Sequence, residues 1–185
     1  MVLIDVENTT LLADAEIPVL IKSSKIKSVK YGALEFRLRN GVSLELPLKV
    51  AVPLLREGMA EVDESKLPSF AELNKLRWKE ERTEDLQPIP SDFYIKARLY
   101  LDALKKHSEN DKRKEILFRK SKAAIIDIIT SRMKKIVRHA LSSLQPSRNI
   151  LENMSYEERI LYIALCHLLE EWYRLVVDKI ERGGV

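Results

Sequence analysis

The sequence predicts an α+β protein, with a small N-terminal β-rich domain followed by a larger all-α domain of long packed helices. Two observations carry this. Before residue 60, apolar and polar residues alternate on both sides of an Asn-Gly pair, as in a hairpin. Beyond it, apolar residues recur at helical spacing behind two capping boxes, in a chain of 185 residues with five glycines and 32% charged side chains. The boundary falls at a β-rich domain over 1–62, with one short helix at about 47–57, and a helical domain over 63–185.

Taken in order, Ile17-Pro18-Val19-Leu20-Ile21 and Ile26-Lys27-Ser28-Val29 are short β-prone runs. The segment Leu34 to Leu46 alternates about Asn40-Gly41. A two-residue turn there would oppose Leu38 to Ser43 and Phe36 to Glu45, mixing polar and apolar on one face. A three-residue loop, Arg39-Asn40-Gly41, opposes Leu38 to Val42, Phe36 to Leu44 and Leu34 to Leu46. The second register is expected, with Gly41 at positive φ. Pro47 opens a short helix, Leu48 to Glu57, because a first-turn proline leaves no N–H unpaired. Gly58 ends it, and Ala60-Glu61-Val62 returns as a short strand.

Ser69-Phe70-Ala71-Glu72 is a capping box opening a helix to about Glu84. Leu86-Gln87-Pro88-Ile89-Pro90 breaks the pattern, and Ser91 caps a helix from Asp92 to about His107. Asn110 to Leu144 is the longest helical stretch, ended by Pro146. A second capping box, Ser155-Tyr156-Glu157-Glu158, opens a helix to about Arg182, closed by Gly183-Gly184.

Composition excludes several function classes. A lone cysteine, Cys166, permits no internal disulfide and no cysteine-based zinc site. The first residues carry no basic stretch of a secretory signal, and no apolar run approaches the ~18–20 residues of a membrane span. A cytoplasmic protein is expected. Frequent Lys, Glu, Ile and Leu with only two glutamines suggest a heat-adapted source. His107, His139 and His167 form no metal-ligand spacing, and phosphate-cradling glycine motifs are missing. Glu157-Glu158 and Glu170-Glu171 are explained by a helix N-terminus and a solvated face. The expectation is a protein that is not an enzyme, with no catalytic residue, metal or cofactor.

Two surfaces remain as candidates. Residues 111–139 hold ten Lys and Arg against three acids, a net +7 in a chain of net +4. Lys112, Arg113, Lys114, Arg132, Lys134, Lys135 and Arg138 are therefore candidate phosphate contacts, the alternative being a solvated helix face. Without interleaved surface aromatics, base stacking is not indicated. The last two long helices carry more apolar surface than one small core needs. Ile125, Ile129, Met133 and Ile136 on one, and Leu161, Leu165, Leu168 and Trp172 on the other, are candidate subunit-interface residues. Core packing is the competing reading.

The order of parts resembles a known family. A β module ends in Leu44-Glu45-Leu46-Pro47-Leu48-Lys49-Val50-Ala51 and runs into a short helix and Gly58. A helical domain follows with Pro88-Ile89-Pro90-Ser91-Asp92-Phe93-Tyr94 and Met154-Ser155-Tyr156-Glu157-Glu158-Arg159-Ile160-Leu161-Tyr162. This is similar to subunits of the GINS complex of DNA replication, in the version with the small β domain first, as in the second and third Psf subunits of eukaryotes. Lys49 departs from the large aromatic that often follows the leucine-proline step. The resemblance implies a non-catalytic scaffold in the replicative helicase assembly, in a 2:2 heterotetramer with a helical-domain-first subunit of archaeal type. It implies the MCM helicase and a RecJ-like, Cdc-type protein as partners, with primase a further one. It implies mostly indirect DNA contact, at the nucleoid-associated fork and away from membranes. A direct nucleic-acid-binding protein using the basic helix 112–138 is the alternative.

Overall fold

The computed structural model describes residues 15–23, 27–108 and 111–181. The expectations about the chain's first residues, Ile26, a helix start at Asn110, and a last helix reaching Arg182 and closed by Gly183-Gly184 lie outside the described residues. The described elements confirm the α+β class. Five short strands are β1 (Glu16–Ile21), β2 (Ser28–Tyr31), β3 (Leu34–Arg37), β4 (Ser43–Pro47) and β5 (Ala60–Val62). The helices are α1 (Leu48–Arg56), α2 (Phe70–Arg82), α3 (Phe93–Ser108), α4 (Lys112–Ser142), the single turn α5 (Arg148–Leu151) and α6 (Tyr156–Glu181).

The expected 34–46 hairpin does not form. β4 pairs antiparallel with β1, placing Val19 opposite Leu44 and Ile17 opposite Leu46. β1 also pairs with β5, giving a three-stranded sheet in the order β4-β1-β5. β3 pairs instead with β2, Tyr31 opposite Leu34 and Val29 opposite Phe36. The turn between them is Gly32-Ala33. Gly32 has φ +58 and, among the described residues, no non-glycine residue has positive φ, which makes it the hairpin type with glycine at the first central position. Alternation fixes which face of a strand is apolar, but not which strand lies beside it. β1, with Ile17 and Val19 fully buried, is the more apolar partner for β4, and it becomes the central strand. Gly41 does have positive φ, +79. It serves a tight turn in which the Val42 N–H donates to the Arg39 carbonyl (3.1 Å), while its own N–H reaches the Ile21 carbonyl (2.8 Å).

α1 follows β4 directly, with Pro47 one residue before the first helical position. At its end Gly58, φ +68, turns the chain so that its N–H donates to the Leu55 carbonyl and the Met59 N–H to the Leu54 carbonyl. This pair of bonds is the Schellman closure. Leu54 and Met59 then join the core they enclose.

The described residues form two compact packing units. The first holds the strands, α1, α3 and α4 as far as Lys122; the second holds residues 73–91 and 123–185. The first core combines Ile17, Val19, Ile21, Leu46 and Leu48 with Leu99 of α3, and Ile95 and Tyr100 of α3 pack at its margin. The second core gathers Leu86, Ile136, Ala140, Met154, Tyr162 and Cys166. Both capping boxes form. The Glu72 N–H meets Ser69 Oγ while the Ser69 N–H meets Glu72 Oε2 (2.8 Å), and Ser155 and Glu158 repeat the exchange at the start of α6. α4 has 31 residues and α6 has 26, about 46 and 39 Å of helix.

Candidate subunit interface

The second unit presents two apolar faces that its own core does not cover. On the part of α4 that belongs to this unit, the residues buried within the chain are Ala124, Ile125, Ile128, Arg132, Lys135, Ile136 and Ala140. Beside them run Ile126, Ile129, Met133, Val137 and Leu141, all exposed, with Ile129 at 42% and Met133 at 47%. These five follow the i, i+3, i+7 spacing of one stripe. At 3.6 residues per turn its centre lies about 130° around the helix from the centre of the buried face. The apolar arc of α4 thus extends well beyond the part that is covered.

α6 repeats the pattern. Tyr162 and Cys166 are buried, and Leu165 and Leu169 pack partly against them. A second stripe, Leu161, Leu168, Trp172 and Leu175, stands in solvent, with Leu168 at 63% and Trp172 at 62%. The line that faces the core near Tyr162 continues along the helix through Tyr173 to Ile180, and both of these are exposed. In the last turns of α6 Val176 and Val177 are half-buried, while Tyr173 and Ile180 on the core-facing row stand in solvent. Solvated singly, such side chains are ordinary; aligned along two long helices, they form a candidate protein contact surface.

Of the interface candidates read from the sequence, Ile129, Met133, Leu161, Leu168 and Trp172 stand on these uncovered stripes. Leu165 is partly buried. Ile125 and Ile136 are enclosed by the chain itself, 6% and 1% exposed, so they already have their partners. The physical reason is the wide apolar arc of α4: spacing identifies the arc but not which half of it the chain's own helices cover.

The basic candidates divide more sharply. Lys112, Arg113, Lys134 and Arg138 are exposed and Lys114 is half-buried. Arg132 and Lys135 cannot reach a phosphate, because both are buried in an ionic cluster the sequence reading missed. Arg132 Nε and Nη2 donate to the two oxygens of Glu158 (2.7 and 2.8 Å). Its Nη1 donates to Glu80 and to the Gln87 carbonyl (2.7 Å), and Nη2 also reaches the Asn153 carbonyl (2.9 Å). Lys135 donates to the other oxygen of Glu80 and to the Asp85 carbonyl (3.0 Å). Two carboxylates and two cations cancel, and backbone carbonyls and the Thr83 hydroxyl take up the remaining donors, as a buried ion cluster requires. The cluster joins α2, the segment after it, α4 and α6. Arg138 donates to the Glu84 carbonyl. The signal that pointed toward the cluster was Glu158 itself: a capping-box carboxylate has a second oxygen edge, here taken by an arginine.

Little else in this unit suggests chemistry. The Cys166 thiol is pushed up by burial, so it stays protonated and a poor nucleophile. The Tyr162 hydroxyl is likewise raised by burial, and accepts from the Ser147 N–H (3.3 Å). Among the described residues, no group of three or more His, Cys, Asp or Glu is placed to hold a metal ion. Among them, too, no helix is long and apolar enough to cross a membrane.

Residues 69–177, more than half the chain, match the family model Sld5, described as a GINS complex protein helical bundle domain. No curated protein matches the chain. The matched span takes in α2 through most of α6, and with them both uncovered stripes and the ionic cluster.

Proposed function

The chain belongs to the GINS family, subunits of a complex that acts in DNA replication, and on that premise we propose that it is a non-catalytic scaffold subunit of the replicative helicase assembly. The observation that carries this reading is the uncovered apolar surface of α4 and α6. Each large apolar side chain taken out of water there contributes roughly 1.5–3 kcal/mol. Several of them, with Trp172 and Tyr173 as aromatic anchors, suffice for a stable subunit contact.

The partner that fits is the helical bundle of another GINS subunit, of the type with its helical domain first, in a 2:2 heterotetramer. In this reading the β-rich module (1–62) and the helical module (63–185) have separate tasks. The helical module holds the tetramer together, and the tetramer bridges the MCM helicase and a RecJ-like, Cdc-type protein, with primase as a further contact. An archaeal, heat-adapted cell and a cytoplasmic site at the fork complete the proposal. It is supported by the family membership, by the small β module ahead of the helices and by the exposed stripes.

Co-expression with a helical-domain-first GINS subunit, followed by a mass measurement in solution, tests it. A complex of four chains is expected. Leu168→Asp, which would place a charge in a desolvated contact, should abolish the complex while circular dichroism shows helix content unchanged. A well-behaved monomer that ignores that partner would overturn the reading.

A further inference from the structure

With Arg132 and Lys135 committed to the buried cluster, the exposed positive charge of the chain concentrates elsewhere. Residues 105–122 contain eight Lys and Arg and three acids, Glu109, Asp111 and Glu115. Lys105 and Lys106 end α3; Lys112, Arg113 and Lys114 begin α4; Arg119, Lys120 and Lys122 continue it. All but the half-buried Lys114 are exposed. Four residues of chain from Ser108 to Lys112 span at most about 15 Å, so the two groups share one corner of the first packing unit.

The placement on α4 opposes what helix stability favours. A helix N-terminus carries partial positive charge, which favours acids in the first turn and disfavours cations. Asp111 does cap α4, its carboxylate accepting from the Arg113 N–H (2.8 Å). Yet the first three helical residues are all cations. Arg119 pairs with Glu115 at 2.5 Å, while Lys112, Arg113, Lys114, Lys120 and Lys122 have no acidic partner within 4 Å among the described residues. A solvated face selected only for solubility would intersperse the two signs. Lys112 with Arg119, and Arg113 with Lys120, are seven residues apart. Each pair therefore lies on one side of the helix and about 10.5 Å apart along it, so that both cations of a pair can meet one stretch of sugar-phosphate backbone.

We propose that the corner formed by the end of α3 and the first three turns of α4 is a contact surface for the phosphate backbone of nucleic acid, indifferent to base sequence. The chemistry favours this ligand over a membrane or an acidic protein segment. Ile116 is the one large exposed apolar side chain on this stretch of α4, too little to anchor in lipid or to seat a protein hot spot. The flexible lysine and arginine heads match phosphates and nothing more specific. The surface owes nothing to the subunit reading, since none of its residues lies on the apolar stripes.

The test uses the full-length chain and fluorescence anisotropy with labelled oligonucleotides of about 30 nucleotides, single-stranded and duplex, at several salt concentrations. Lys112→Glu with Arg113→Glu and Lys114→Glu should weaken binding at least tenfold. Lys112→Gln with Arg113→Gln and Lys114→Gln should lower the slope of log K against log salt by roughly 2–3, the value for three lost phosphate contacts. Lys134→Gln, on the far part of α4, should change neither. Equal affinity for two unrelated sequences is expected. Unchanged binding by both triple variants, with helicity retained, would overturn the proposal. So would tighter binding to a poly-glutamate peptide than to either oligonucleotide, which would assign the corner to an acidic protein.

Discussion

Replacing Arg132 with methionine would leave Glu80 and Glu158 facing each other's environment with the cation between them gone. The arginine is fully buried and donates at least five hydrogen bonds, two of them to the same carboxylate. Methionine fills much of the volume, so the cost is electrostatic and not a cavity. Lys135 still neutralises Glu80, but Glu158 loses the buried guanidinium that held both of its oxygens. The carbonyls of Gln87 and Asn153 also lose their donor. Removing one partner of a buried ion pair costs about 3–5 kcal/mol, a large share of the total stability of a domain. In a chain of this length that corresponds to a fall in Tm of about 6–20 °C. Urea unfolding followed by circular dichroism gives the midpoint, with Lys134→Met, an exposed neighbour, as the control expected within about 0.5 kcal/mol of the parent. Arg132→Lys should also destabilise, since an ammonium cannot reproduce the two-pronged contact with Glu158. If Arg132→Met unfolds at the same urea concentration as the control, the cluster is not what joins α2, α4 and α6, and the reasoning fails.

Other expectations follow from single residues. Gly41→Val should destabilise the β-rich module by about 1 kcal/mol or more, measured by thermal unfolding. There is open space at its Cβ, so the cost is the backbone conformation alone, φ +79; an unchanged Tm would show that the turn readily adopts another form. On α4, Met133→Asp should dissociate the assembly with helicity kept, whereas Ile136→Asp should lose both, because it places a charge in the chain's own core; identical behaviour of the two by light scattering and circular dichroism would contradict the division of the arc. Hydrogen bonds from Ser43 and Ser65 hold Asp63 below its ordinary 3.8, and those from Ser69 hold Glu72 below 4.5. Both folded values are depressed, so their stabilisation is present above the unfolded values and is lost as pH falls through the folded ones. Ser43→Ala with Ser69→Ala should therefore lower stability at pH 7 and flatten its decline below pH 4, and a parallel acid-unfolding curve would refute this.

The local chemistry of this chain was legible without a fold. The two capping boxes, the short helix between Pro47 and Gly58, the break at Pro88-Ile89-Pro90 and the positive φ of Gly41 are each set by a few neighbouring residues, and the geometry agrees. The apolar character of α4 and α6 was also legible, as was its excess over one small core, because periodicity depends on residue type alone. What required the tertiary structure is which partner each apolar or charged face meets. β4 lies against β1 because the central strand is decided by the burial of Ile17 and Val19, and nothing in the 34–46 alternation records that choice. Ile136 and Met133 look alike in sequence, yet one is enclosed and the other solvated, since only the packing of the helices decides which half of an apolar arc is covered. Arg132 read as a phosphate contact because charge density along a helix says nothing of direction. Its side chain points inward to Glu80, 52 residues earlier, and Glu158, 26 residues later. Contacts at that separation are made by the fold bringing distant carboxylates to one cation, and the energy of burying them together exists only once it has.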